Sequence, residues 1–254
     1  MEKINLTISS SPHIRTSKNV SSVMRDVFIA LLPAALAGVY YFRVPALINI
    51  VVAVFGAVAA EYAVQKFMKR QVTVKDYSAA VTGLLLAMNV PASLPWWITL
   101  IGSIFAIVVV KQLFGGLGHN FMNPALAARA VMLASWPVQM TSWTTPGADA
   151  VSTATPLAVL KGIEGGQAAG IMDMLLGNTA GCIGETSALL LLLGGIYLIY
   201  RGVISYHIPV IYIATVAVLS FLFSGFQVSA ISYNVLAGGL MLGAFFMATD
   251  YASS

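Results

Sequence analysis

The sequence predicts an all-α fold: a polytopic bundle of transmembrane helices, built as two repeats that include short or broken helices. Three observations carry this expectation. Hydrophobic residues make up 59% of the 254 and charged residues only 9%, against the roughly 25% charged residues of ordinary soluble domains. The mean hydropathy of +0.87 follows from the same imbalance. The apolar residues gather in runs that approach the roughly 30 Å of a hydrocarbon core, with charges between them, and not in the alternation of an outer-membrane barrel. A similar order of segments also occurs twice.

Taken in order, residues 1–23 are polar, carry Lys3, Arg15 and Lys18, and hold no apolar stretch of the kind a cleaved signal needs. They are expected to form a retained cytoplasmic tail. The first span runs from Met24 to Phe42 and the second from Ala46 to Gln65, with Arg43-Val44-Pro45 as the turn of a helical hairpin. Residues 66–76 form the densest basic segment, which the positive-inside bias assigns to the cytoplasm with the amino terminus. A third, short segment, Tyr77 to Val90, is stopped by Pro91-Ala92-Ser93-Leu94-Pro95, and Trp96 and Trp97 follow as interfacial anchors. The fourth, Ile98 to Phe114, returns to the cytoplasmic side near Lys111. The fifth, Ala125 to Met140, crosses outward and delivers residues 141–185 to the extracytoplasmic face. Thr186 to Tyr200, His207 to Ser224 and Asn234 to Thr249 complete eight segments, with Arg201 in a cytoplasmic turn.

The expected division is therefore a tail at 1–23, a first repeat at 24–140, an extracytoplasmic loop at 141–185 and a second repeat at 186–254. Each repeat is a hairpin of two spans followed by a short, glycine-interrupted segment. Thr82-Gly83-Leu84-Leu85-Leu86-Ala87-Met88 aligns with Gly238-Gly239-Leu240-Met241-Leu242-Gly243-Ala244. Short segments at matching places in two halves point to a site near the midplane, between the repeats. The second half lacks counterparts to the fourth and fifth segments, so about two further helices are expected beyond this sequence.

A formal net charge of +4 does not indicate nucleic acid, because the Lys and Arg residues sit beside hydrophobic segments, where they bias topology. Cys182 is the only cysteine. It excludes an intrachain disulfide and leaves no thiolate cluster for an iron–sulfur centre or a zinc held by this chain alone.

The longest interruption of the apolar pattern holds Asp149-Ala150-Val151-Ser152-Thr153-Ala154-Thr155-Pro156-Leu157. Hydroxyl-rich loops of this composition are ordinarily solvated turns. Arg129 is the one basic residue inside the fifth segment, and a charge at that depth faces either a polar cavity or a pairing partner. Asn123-Pro124 reads as a helix start, with Asn as N-cap and Pro in the first turn. His119 fits a loop or an interface. Glu185 introduces the sixth span and suits helix-end electrostatics. Glu61 and Asp250 lie near span ends and are expected to reach the membrane interface.

The run from Gly115 to Ala130, then Pro137 to Trp143, Ser152 to Leu157 and Gly184 to Ser187 resemble, in this order, the family that joins the D-type membrane component of Rnf complexes with the B-type component of the sodium-translocating NADH:quinone reductase. The resemblance spans the chain from Met24, and its tail and residues 137–143 are closer to the Rnf form. It implies about ten helices in full-length members. It also implies FMN joined through its phosphate to the last threonine of a Ser/Thr-Gly-Ala-Thr motif, here Thr155 after Ser152, Thr153 and Ala154. Thr153 stands where the family has glycine and leaves a second hydroxyl nearby. Asn123, Arg129, Glu185 and His119 become candidate flavin contacts, and a noncovalent riboflavin in the broken-helix region is a further expectation. An external flavin transferase would make the bond. The A, B, C, E and G subunits of the Rnf complex and the lipid bilayer are the implied partners, in a bacterial cytoplasmic membrane. No residue is assigned to acid, base or metal chemistry, since a flavin carrier has to supply orientation and electrostatic tuning. The rival from another class is a solute transporter or channel whose repeats enclose a path without redox chemistry.

Overall fold

Helix α1 spans Val20–Phe67, begins after Asn19, and is interrupted at Arg43, where φ is 54° and ψ is −135°. Pro45 lacks an amide donor and its ring clashes with the carbonyl four residues back, so the helix does not run straight through this point. The two arms are each about 35 Å long at 1.5 Å per residue, enough for a hydrocarbon core. They fold back on one another: the Ser21 hydroxyl donates to the Lys75 carbonyl at 3.3 Å, which a straight 48-residue helix would forbid. The expected hairpin is present, with its first helix beginning at Val20 and not at Met24. The computed structural model describes residues 19–146, 155–160 and 169–250; most of the tail, and Ser152, Thr153 and Ala154, lie outside the described residues.

A short 3-10 turn, Val74–Asp76, leads into α2, Ser78–Met88, in which every residue but Ala80 is buried. A helix apolar all round belongs in the middle of a bundle. Gly83 lets it approach the second arm of α1 so closely that a Cβ there would lie 2.5 Å from the Ala53 carbonyl oxygen. The proline-rich stop at 91–95 is tied down by Asn49, whose amide donates to the carbonyls of Ala92 at 3.1 Å and Leu94 at 2.9 Å and accepts from the Thr99 hydroxyl.

Helix α3, Trp96–Phe105, continues as a π-helical stretch, Ala106–Gln112. Helix α4, Pro124–Ser135, is followed by α5, Pro137–Met140, with a break at Trp136. Pro137 again explains the break, by denying Trp136 the helical region. The 141–185 stretch is more than a loop. It contains α6, Pro156–Leu160, α7, Ile171–Leu176, and a 3-10 turn, Ile183–Glu185. Helices α8, Ala188–Tyr200, and α9, His207–Phe223, match the sixth and seventh expected segments.

The eighth segment is a broken one. Helix α10, Val228–Leu236, is followed by α11, Leu240–Leu242, and a π-helical continuation, Gly243–Met247, with a 67° bend between the two pieces. Gly238 sits in that bend at φ 75°, a conformation open to glycine. The two stretches aligned in sequence therefore differ in backbone: residues 82–88 lie in an unbroken helix, whereas 238–244 straddle the bend.

Among the described residues there is no strand; an isolated bridge joins Pro91 and Cys182. One core, including Leu31, Leu84, Met88, Ile98, Ile183, Leu191, Phe245 and Phe246, joins α1, α2, α3, α8 and the last π-helical stretch. One end of the bundle gathers Ser21, Lys75 and the Asp26–Arg201 ion pair at 3.0 Å. The other gathers Tyr41 with Leu176 and Ser93 with Ser142, each joined by a hydrogen bond.

Candidate functional site

Two cavities line up with the polar residues of the bundle, and the candidate residues are divided between them. The first is lined by Arg129, Trp143, Thr155, Thr179, Glu185 and the Gly238-Gly239 bend. Thr155 is half-buried and its hydroxyl oxygen accepts the Ala158 amide at 3.2 Å, so the side chain caps the short helix α6. Glu185 belongs to the 3-10 turn and accepts the Cys182 amide at 3.2 Å through Oε2. That turn is held against the end of α2 by the Ile183 amide, which donates to the Val90 carbonyl at 3.0 Å.

Arg129 projects from α4 toward the same turn. One of its terminal nitrogens donates to Cys182 Sγ at 3.9 Å, while its Nε is buried with no hydrogen-bond partner. An unpaired buried guanidinium N–H is costly, and an anionic acceptor would relieve it. Cys182 lies between Arg129 and Glu185. Burial pushes its thiol well above the ordinary range, Glu185 adds to that rise and Arg129 opposes it.

The sequence expected Asn123 and His119 to join this group, and the structure separates them from it. Asn123 is the N-cap of α4, accepting the amides of Ala125 at 3.0 Å and Leu126 at 3.2 Å, with Pro124 at the first helical position. Its Nδ2 donates to Asp250 at 3.1 Å, on the wall of the second cavity. His119 is exposed and does not line the first cavity; its side chain stands close to Gly115. A helix start satisfies Asn123 locally, and the glycine-rich turn before it carries His119 outward.

The second cavity is bounded by Val27, Thr82, Lys111, Asn120, Phe245 and Asp250, among others. Asn120 is only 2% exposed, and neither its amide oxygen nor its amide nitrogen has a partner. Both π-helical stretches reach this cavity, one through Lys111 and the other through Phe245 and Phe246.

Beside it lies a buried charge network that sequence reasoning missed. Glu61, expected at the membrane interface, is turned into the protein and is 1% exposed. Its carboxylate accepts from Lys111 Nζ at 2.9 and 3.1 Å, from Gln112 at 2.7 Å and from Gln65 at 3.1 Å. Lys111 Nζ also donates to the Ser78 hydroxyl at 2.6 Å. The burial of Glu61 has a physical reason, since a carboxylate with three protein donors tolerates a burial that an isolated one would not.

Compared with known proteins, the chain matches the NQR2, RnfD, RnfE family over residues 7–254. It is 53% identical over 257 residues to the D component of a Na+-translocating ferredoxin:NAD+ oxidoreductase complex of Acetobacterium woodii, a match that covers 100% of this chain and 80% of that protein. It is 46% identical over 265 residues to the D component of a proton-translocating ferredoxin:NAD+ oxidoreductase complex of Clostridium ljungdahlii, covering 98% of this chain and 80% of the relative. The D component of an ion-translocating oxidoreductase complex of Aliivibrio salmonicida is 36% identical over 288 residues, covering 97% and 82%.

Proposed function

The chain belongs to the NQR2, RnfD, RnfE family, and on that premise we propose that it is the membrane electron-transfer subunit of an Rnf-type complex. That complex couples electron transfer between ferredoxin and NAD+ to translocation of Na+ or H+. The chain acts in the bacterial cytoplasmic membrane with the A, B, C, E and G subunits, its amino terminus in the cytoplasm and residues 141–185 outside. Alone, it is an electron carrier and not a complete enzyme.

FMN is held on this chain by a phosphoester to the Thr155 hydroxyl, installed by a separate flavin transferase. The observation that supports this is the first cavity: Thr155 lines it together with Arg129, whose buried Nε has no partner. Donor chemistry and site agree, because a phosphate oxygen is the acceptor a guanidinium pairs with best. Trp143 offers the same cavity an aromatic face and Glu185 a fixed negative charge. When bound, a flavin supplies one- and two-electron chemistry, and a covalent tether removes the binding cost that a diffusing carrier would meet at each turnover. Arg129 would orient the phosphate end, and Trp143 and the Gly238-Gly239 bend would bound the ring end.

A second, noncovalent flavin such as riboflavin suits the other cavity. Asn120 favours it, since a buried amide with donor and acceptor both unpaired complements the imide edge of such a ring. Phe245 and Phe246, from the broken-helix region, supply apolar walls.

The covalent assignment is tested by in-gel fluorescence of the denatured chain made in its native host. Wild type should fluoresce under ultraviolet light and Thr155→Val should be dark. A dark wild-type band would overturn the tether, and a band lost in Thr153→Val but kept in Thr155→Val would move it to the neighbouring hydroxyl. A solute transporter without redox chemistry predicts no fluorescence in any of these.

A further inference from the structure

Lys111, with the Ser78 hydroxyl it donates to, belongs both to the wall of the second cavity and to the buried carboxylate network. Its ammonium is 1% exposed, lies within 2.9 Å of Glu61, and stands on a cavity whose Asn120 amide is unpartnered. A purely structural ion pair needs none of that placement. Gln65 is itself fixed by Thr73, whose hydroxyl accepts from Gln65 Nε2 at 2.8 Å and whose amide donates to Gln65 Oε1 at 2.9 Å. The Glu61 side of the pair is thus held by three donors, one of them anchored in turn to Thr73.

We propose that Lys111 is a positioning residue that couples the charge in the second cavity to Glu61. The inference rests on the noncovalent flavin proposed for that cavity. Lys111 Nζ attracts any negative charge gained there. One electron, drawn from the ferredoxin side of the complex and arriving without a proton, adds one such charge; no bond to the protein forms or breaks. The attraction competes with the hold of Lys111 on Glu61. Because coupling between two equilibria is reciprocal, the charge on Glu61 biases the redox equilibrium of the cavity as much as the redox state biases the ion pair. Asp250, the other charged residue of this wall, is engaged by Asn123 and is common to all the variants below.

The test is a spectroelectrochemical titration of the intact complex in detergent. The noncovalent flavin is followed by subtracting the titration of complex from which extractable flavin has been washed out. Lys111→Met should shift the reduced-to-oxidised balance about tenfold toward the oxidised form, about 59 mV for a one-electron couple. Glu61→Gln should shift it by a similar factor the other way. Lys111→Arg should stay near wild type, and the Lys111→Met/Glu61→Gln pair, which removes both charges and leaves no lone buried ion, should fall between the single variants. A merely structural pair would move no potential, or would move both single variants in one direction, and either result overturns the coupling. Absence of extractable flavin from the wild-type complex overturns it too. The Thr155 band, read from the same preparations, separates that failure from failure of the covalent assignment.

Discussion

Cys182 shows how much of the site is decided by single side chains. Its thiol is 2% exposed, its Sγ donates to the Asn89 carbonyl at 3.4 Å, and its pKa is raised, first by burial and then by Glu185. Only the thiolate is a strong nucleophile, so a raised pKa keeps the group unreactive through neutral pH. Reaction with N-ethylmaleimide, followed by intact mass, should be slow in the folded complex at about pH 7 to 8, whereas the denatured chain should react at once. Rapid labelling of the folded protein at neutral pH would contradict the placement of this thiol. Thr155 was singled out by a motif and Arg129 by its charge within an apolar segment, and the structure brings both to one cavity. The Glu61–Lys111 pair was not legible: its members are 50 residues apart, and nothing in either local sequence tells a charge near a helix end to turn inward. Asn49 was hidden for the same reason, its carbonyl partners being 43 and 45 residues away.

At the scale of elements, proline and glycine account for the breaks that sequence made visible. Pro45 announced the interruption at Arg43, and the glycines at 238–239 announced the bend in the last segment. The π-helical stretches and the short helices α6 and α7 carried no such mark, since an extra residue per turn or a five-residue helix depends on the packing around it. Close helix contact, by contrast, leaves a readable trace as small residues. Gly83 is one such case, because a Cβ there would meet backbone atoms of Ala53 and Val54, at 2.5 and 2.8 Å, and backbone does not step aside. Gly83→Ala should therefore cost about 1–3 kcal/mol by overpacking. Its thermal midpoint in detergent should fall below wild type, and a variant of unchanged midpoint would show that α2 and α1 do not approach as closely as this.

The whole molecule has two ends, and the sidedness expected from the sequence is a statement about them. Lys75, Asp26 and Arg201 collect at one end by a hydrogen bond and an ion pair, as the count of spans from a cytoplasmic amino terminus requires. Tyr41, Ser93, Ser142 and Leu176 collect at the other, next to the helices of the 141–185 stretch. The short lengths of the remaining helices fit a bundle whose middle is crossed by broken pieces: the thirteen residues of α8 reach about 20 Å at 1.5 Å per residue, well short of a roughly 30 Å core. Positive-inside bias is the basis on which the orientation of these ends relative to the cell is proposed. In a Cys182→Ser background, Met172→Cys, on an exposed position of α7, should take up a membrane-impermeant maleimide added to intact spheroplasts. Lys75→Cys, exposed at the opposite end, should react only after the membrane is permeabilised. The reverse pattern would place the Thr155 cavity, and the flavin proposed for it, toward the cytoplasm.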